Sequence, residues 1–384
     1  MKKKILLYFP TDITKQANQS VYKKFLSQIK GFEKCGMDVD YIFHSGTDII
    51  FNNEPIKFKY NISKKIISKL NPIIGYLLYF FSAIQFTKYE LIFIRFKTST
   101  PFIIGLLKRI RRQNKTAKII LEFPTYPYLL EFKGVVYKIY FKIEQLLCKQ
   151  LSKYVNYSIN YSMLTDIYNI KSIAISNGYN YEMENLEICK MPKLDNQIVL
   201  ACMASSIVPC HGFDKILVSI NNYLSQKANI KIIPKVYIIG EGPELPILKK
   251  YASDHQLNNY VEFTGFLNDL QLKDVLSKTH VCIGCMAMYR KNLFAESALK
   301  TAYYCFSGKP FILSATDERF PKANNMWKYL KNTDEEIDFN DVIEFTKNVY
   351  HHYPEINIEL RNYAIANISW ESQIKKMLQQ INVA

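Results

Sequence analysis

A chain of 384 residues, 48% hydrophobic and 22% charged, is too long for one ordinary core and too apolar for a disordered tail, so two folded domains with a cleft between them are expected. The 50 Lys and Arg outnumber the 34 Asp and Glu, and the net +16 asks for an anionic partner: nucleic acid, anionic lipid or a phosphorylated substrate. Eight cysteines are scattered without a framework, and the N-terminus (MKKKILLYFP) has neither a long apolar run nor a small-residue cleavage site, so a reducing cytoplasm is expected.

Short apolar runs alternate with helical patterns through the first half, as in βαβ units that build a parallel sheet. ILLYF (5–9) is the first predicted strand. Val21, Phe25, Ile29 and Phe32 then recur at helical spacing, with Lys23, Lys24 and Lys30 off that stripe, which predicts a helix packed on the sheet. VDYIF (39–43), LIFIRF (91–96) and KIILEF (118–123) are further strands. The uncharged stretch 70–86 is short for a bilayer span and is interrupted by Pro72 and Gly75, so it reads as a buried helix. From 136 onward, Lys138, Lys142, Lys149 and Lys153 form one helical stripe beside Val136, Ile139, Ile143, Leu146, Leu147 and Leu151. That pattern suits docking on an anionic membrane, although a solvated face has the same signature.

The polar stretch 180–196 lacks periodicity and is read as a linker. Beyond it the scheme repeats with IVLACMA (198–204), KVYIIG (235–240), VEFTGF (261–266), VCIGCM (281–286) and PFILSA (310–315). The predicted class is α/β: two Rossmann-like parallel-sheet domains, over 1–179 and 197–358, holding a ligand at the carboxyl ends of their strands. Three weaker signals read as structural. Cys282 and Cys285 form an isolated CIGC in a buried strand, Asp38 and Asp40 lie where a turn becomes a strand, and His351 and His352 sit in a polar stretch; no metal is assigned.

ISNGYN (175–180), CHGFDKI (210–216), IIGEGPEL (238–245), VEFTGFL (261–267) and LKTAYYCFSGKPFI (299–312) follow one another in an order that, with EFPTYPY (122–128), resembles the family-4 (group 1) glycosyltransferases. The similarity is to the bacterial exopolysaccharide and capsule-assembly subgroup, and it is strongest from 175 to 315. The resemblance implies a GT-B-type fold and transfer from a UDP- or GDP-linked sugar to a lipid-linked or oligosaccharide acceptor. It further implies retention of configuration, no metal and no cofactor. The pattern around Trp370 resembles the helix that closes this fold, which places 359–384 back against the N-terminal domain.

A nucleoside diphosphate needs cations and helix N-termini to meet its phosphates. His211, Gly212 and Lys215 follow a strand and open a helix, and Arg290, Lys291 and Lys300 bracket a second loop, so both sets are candidate donor contacts. Gly240 permits a tight turn, and Gly265 resembles the loop that meets the nucleobase. Many relatives carry two glutamates ahead of the Gly-Lys-Pro turn, the second binding the ribose. Here those positions are Ala295 and Tyr303, with Glu296 one residue from the first, and Ser205 stands where many relatives have a phosphate-binding arginine. Glu122, Thr125 and Tyr126 are the candidate catalytic and acceptor contacts. A second reading follows from Ala295 and Tyr303: an inactive relative that stabilises an active glycosyltransferase partner. A nucleic-acid binder rests on basicity alone and lacks a recognised module. The expected location is cytoplasmic, peripheral on the inner face of the cell membrane.

Overall fold

The computed structural model describes residues 2–15, 18–46, 48–55, 84–96, 101–124, 126, 144–161, 164–182, 186–226 and 230–382. The chain divides into two units, one of Met1–Gly178 with Trp370–Ala384 and one of Tyr179–Ser369.

In the first unit β1 (Lys4–Asp12), β2 (Asp38–Ser45), β5 (Leu91–Arg95), β6 (Lys118–Phe123), β7 (Tyr157–Asn160) and β9 (Ile170–Ala174) form the parallel body of a sheet. At its two edges run the antiparallel β3 (Asp48–Phe51), β4 (Glu54–Pro55) and β8 (Asp166–Ile167), and the order is β4-β3-β2-β1-β5-β6-β7-β9-β8. Period-2 alternation divides each strand between two cores. Ile5, Leu7, Phe9, Leu91, Phe93 and Ile120 face one side, and Leu6, Tyr8, Ile92, Ile94, Ile119 and Leu121 the other. Both faces are covered, which is why these strands read as unbroken apolar runs.

Helix α1 (Gln19–Lys34) covers the first side with Phe25, Ile29 and Phe32, as its stripe predicts. Helix α2 (Pro101–Gln113) covers the second with Ile104, Leu107 and Ile110. The hairpin of β3 and β4 was not predicted. Its signal is Asn52-Asn53, both at positive φ (48° and 70°), the conformation that two-residue hairpin turns demand.

The second unit holds an entirely parallel sheet of β10 (Gln197–Ser206), β11 (Ile233–Glu241), β12 (Val261–Gly265), β13 (Val281–Ile283), β14 (Phe311–Leu313) and β15 (Trp327–Tyr329), ordered β12-β11-β10-β13-β14-β15. Its helices are α3 (Phe213–Ser225), α4 (Leu245–Asp254), α5 (Asp269–Lys278), α6 (Leu299–Phe306), α7 (Phe339–His352) and α8 (Ile356–Ile368). The last helix, α9 (Trp370–Gln380), belongs to the first unit. There Trp370 rests on Gly31 and Gly178, where an added Cβ would lie 2.6 Å from Ile374 and from the indole, respectively.

The expected boundaries move in two places. The stretch 180–196 is part of the second unit and not a free linker, because Cys189 is buried and the Lys309 ammonium donates to the Lys190 carbonyl at 2.7 Å. Likewise α8 stays in the second unit, so the terminal crossing begins at Trp370 and not at 359. Among the described residues no helix is long and apolar enough to cross a membrane. Most of 70–86 and the 136–143 part of the lysine stripe lie outside them.

Candidate functional site

At the carboxyl edge of the second sheet, β10 ends in exposed Ser205 and Ser206, and the chain turns through Pro209–His211 into α3. Gly212 makes that turn with φ 64°, and an added Cβ would sit 2.9 Å from the Met286 backbone. The neighbouring turn after β11 closes on this one. Gly240, at φ 116°, approaches so closely that a Cβ there would lie 1.7 Å from the Ala204 carbonyl oxygen. Gly265 ends β12 at φ 67°, beside the Glu241 carboxylate.

His211 accepts the Val208 N–H on Nδ1 (3.2 Å) and stacks against Phe213 with ring centroids 5.5 Å apart. Burial, helped by the fields of Lys300 and Lys291, pushes its imidazole down to about 3. It is therefore neutral near pH 7, with its proton on Nε2. Lys300, the second residue of α6, donates to the Gly284 carbonyl (3.2 Å) with its ammonium 5.0 Å from the Phe213 ring centre. Among the described residues no carboxylate lies within ion-pairing distance of it. Lys291 is exposed at the end of the turn Met288–Lys291. Glu296 sits beside Lys300 and the Cys285 thiol. Burial, against the pull of Lys300, raises its carboxyl to about 7, and among the described residues Oε1 has no hydrogen-bond partner. Tyr303 shares a face of α6 with Lys300, but its half-buried ring meets Tyr179 edge-on at 6.3 Å, and burial raises its phenol.

Two of the expected cations are committed elsewhere. Arg290 forks onto Asp214 at 2.9 and 2.7 Å and also donates to the Pro209 carbonyl. Lys215 is 7% exposed and donates to the Thr333 carbonyl at 2.5 Å. As placed, the Lys215 ammonium is withdrawn from solvent, whereas the Arg290 guanidinium is exposed but already paired.

In the first unit Glu122 departs from its expected role as an acceptor contact. It is wholly buried, paired with Lys24 and Arg95 at 3.1 Å each, and accepts from Gln28 and from the Tyr161 hydroxyl. Burial alone would raise this carboxyl; Lys24, Arg95 and Tyr161 outweigh it and hold it down to about 2. Such a group binds its neighbours and not a saccharide. Tyr126 packs edge-on to Phe123 and Tyr168 at 6.1 and 5.6 Å, and Thr125 lies outside the described residues.

The residues read as structural are engaged in structure. Asp40 accepts from Tyr89 (2.6 Å) and Asn52 (2.8 Å) and pairs with Lys88. Cys282 and Cys285 are buried thiols, the latter pushed up to about 12 by burial. His351 and His352 are exposed in the last turn of α7. Missed altogether was the ion pair of Asp317 and Arg319, 2.6 Å apart with both side chains fully buried, whose only sequence signal is charge placed directly after a buried strand.

The sequence matches no family profile and no curated protein. Solved structures do match. Sucrose-phosphate synthase from Thermosynechococcus elongatus has a TM-score of 0.56 at 14% identity, covering 99% of this chain and 98% of its own. The Anabaena protein HepE, solved with UDP, has a TM-score of 0.58 at 11% identity over 100% of both chains. A glycosyltransferase from Rickettsia africae has a TM-score of 0.57 at 14% identity, covering 99% of this chain and 97% of its own. The chain has the GT-B glycosyltransferase fold.

In this GT-B chain, the donor candidates that come together are His211, Lys291, Glu296 and Lys300. Near neutral pH the group is electropositive: two ammonium ions, a neutral imidazole and a carboxyl that is partly protonated. The first amides of α6 add to that field. Chemically, such a cluster receives an anion and stabilises charge that grows on it.

Proposed function

We propose that this chain is a glycosyltransferase of the family-4 type. On this reading the second unit binds a UDP- or GDP-linked sugar, and the first binds a lipid-linked or oligosaccharide acceptor for a bacterial surface polysaccharide. The observation that carries it is Lys300, an ammonium at a helix N-terminus on the carboxyl edge of a parallel sheet, with no carboxylate pairing it among the described residues. Breaking the anomeric bond leaves a diphosphate; Lys300, Lys291 and the His211 Nε2–H would meet the added charge. Transfer with retention then needs no carboxylate nucleophile and no metal, since positioning and leaving-group stabilisation supply the rate. HepE was solved with UDP and with UDP-glucose, which supports a nucleotide sugar as the ligand. The reading also places the protein in the cytoplasm, on the inner face of the cell membrane.

A second reading is favoured by Arg290 and Tyr303, one locked onto Asp214 and the other packed on Tyr179: a nucleotide-blind subunit that stabilises an active partner. Thermal shift with UDP-sugars and GDP-sugars separates the two. Catalysis predicts stabilisation of the native protein and, for Lys300→Ala, affinity lower by roughly 10-fold to 100-fold with the fold intact, the loss of one charge-assisted contact. No stabilisation by any nucleotide sugar would select the second reading.

A further inference from the structure

The segment that leads through Glu296 to Lys300 leaves its large apolar side chains largely in solvent. Leu293, Phe294 and Leu299 are 44%, 69% and 51% exposed, so the loop buries little of the apolar surface that usually anchors a connection. It is held from behind by the turn that follows β14. Thr316 clasps one end through two main-chain bonds, its N–H to the Phe294 carbonyl (2.9 Å) and its carbonyl from the Glu296 N–H (2.8 Å). Arg319 clasps the other end, donating through one nitrogen to the Ala298 carbonyl (2.7 Å) and to the Thr301 hydroxyl (3.1 Å). Asp317 grips the same guanidinium at 2.9 and 2.6 Å. The turn is itself pinned, because Tyr329 accepts the Asp317 N–H and donates to the Phe320 carbonyl, and Tyr363 donates to the Arg319 carbonyl.

Stability does not explain this arrangement. A buried ion pair is commonly no better than apolar residues of the same volume. A cation behind a helix N-terminus, moreover, opposes the helix dipole unless a carboxylate quenches it. What the pair does provide is direction: a planar fork that fixes Ala298 and Thr301, and so the first turn of α6, against a pinned turn. Resting on the donor-site reading above, we infer that Arg319, oriented by Asp317, is a positioning residue for nucleotide binding. It holds Lys300 and Glu296 where the diphosphate and sugar are received, and touches neither.

The test uses the whole chain, with UDP and GDP as probes and the tighter of the two carried forward. Thr301→Val removes one acceptor of the fork without unpairing a charge. The double variant Asp317→Asn with Arg319→Met removes the pair together. Both are expected to bind the nucleotide roughly 10-fold more weakly at matched folded fraction, as misplaced contact groups do. A role in stability alone would move the melting temperature and leave affinity at matched folded fraction untouched. Should the double variant not fold, Thr301→Val decides. Wild-type affinity in these variants, with Lys300→Ala weakened, overturns the positioning role and spares the donor site. Wild-type affinity in Lys300→Ala as well overturns both.

Discussion

Glu296 is held against its own burial. Its carboxyl rises from an ordinary 4.5 to about 7, chiefly through burial, so folding favours the protonated form. The associated stability is fully present below about pH 4.5 and is lost as pH rises through 7. Glu296→Gln removes the titration; relative to that variant the wild type is expected to lose about 3 kcal/mol between those limits. Urea denaturation across the pH series checks this, and parallel curves for the two proteins would refute it. The contrast of Lys300 with Arg290 is decided one residue at a time as well. Both are cations beside the same edge, but Asp214 pairs with one, while among the described residues no carboxylate comes within ion-pairing distance of the other. Nothing in the spacing of 214 and 290 announces that pair.

Four elements meet at Glu122. Lys24 and Gln28 reach it from α1, Arg95 from the end of β5, and Tyr161 from just beyond β7, while Lys24 also donates to Asn177 at 2.7 Å and lies 4.0 Å over the Tyr161 ring. Replacing Glu122 by Gln leaves two cations facing a neutral amide and is expected to cost about 3 kcal/mol at pH 7, as broken buried pairs do. Because this carboxyl is held below its ordinary range, the wild-type advantage is present above about pH 4.5 and fades as pH falls toward 2. Chemical denaturation at pH 7 and pH 3 measures both; equal stability of the variant at pH 7 would show the network to be idle. At this scale the strands with long apolar runs were legible from sequence. The shorter β7 and β9 were not, because Ser158 and Ser172 interrupt their runs; the two hydroxyls meet at 2.6 Å across the pair, and Ser158 also donates to the Ile170 carbonyl at 3.2 Å. A polar residue in a strand core is readable only once its partner is known.

For the whole molecule, the net +16 remains larger than the donor cluster requires. Lys149 and Lys153 are exposed, and Leu146 beside them is 65% exposed, in keeping with a face that meets anionic lipid. Sedimentation with anionic liposomes is therefore expected at low salt and is expected to fall as salt screens the charge. Recovery of all the protein in the supernatant at low salt would remove the membrane from the proposal. By itself the sequence determined the α/β class and the doubling of the parallel sheet, and it marked the glycine turns and cationic segments at the edge of the second sheet, since periodicity, glycine placement and charge are local properties written in order along the chain. Only the tertiary structure decided where the chain crosses between units, that Cys189 and Lys190 pack into the second, that Glu122 is a buried hub, and that Arg290 is ion-paired while, among the described residues, Lys300 is not. Each of those depends on which distant residue arrives opposite, and the energy of a charge or a polar group is set by that neighbour.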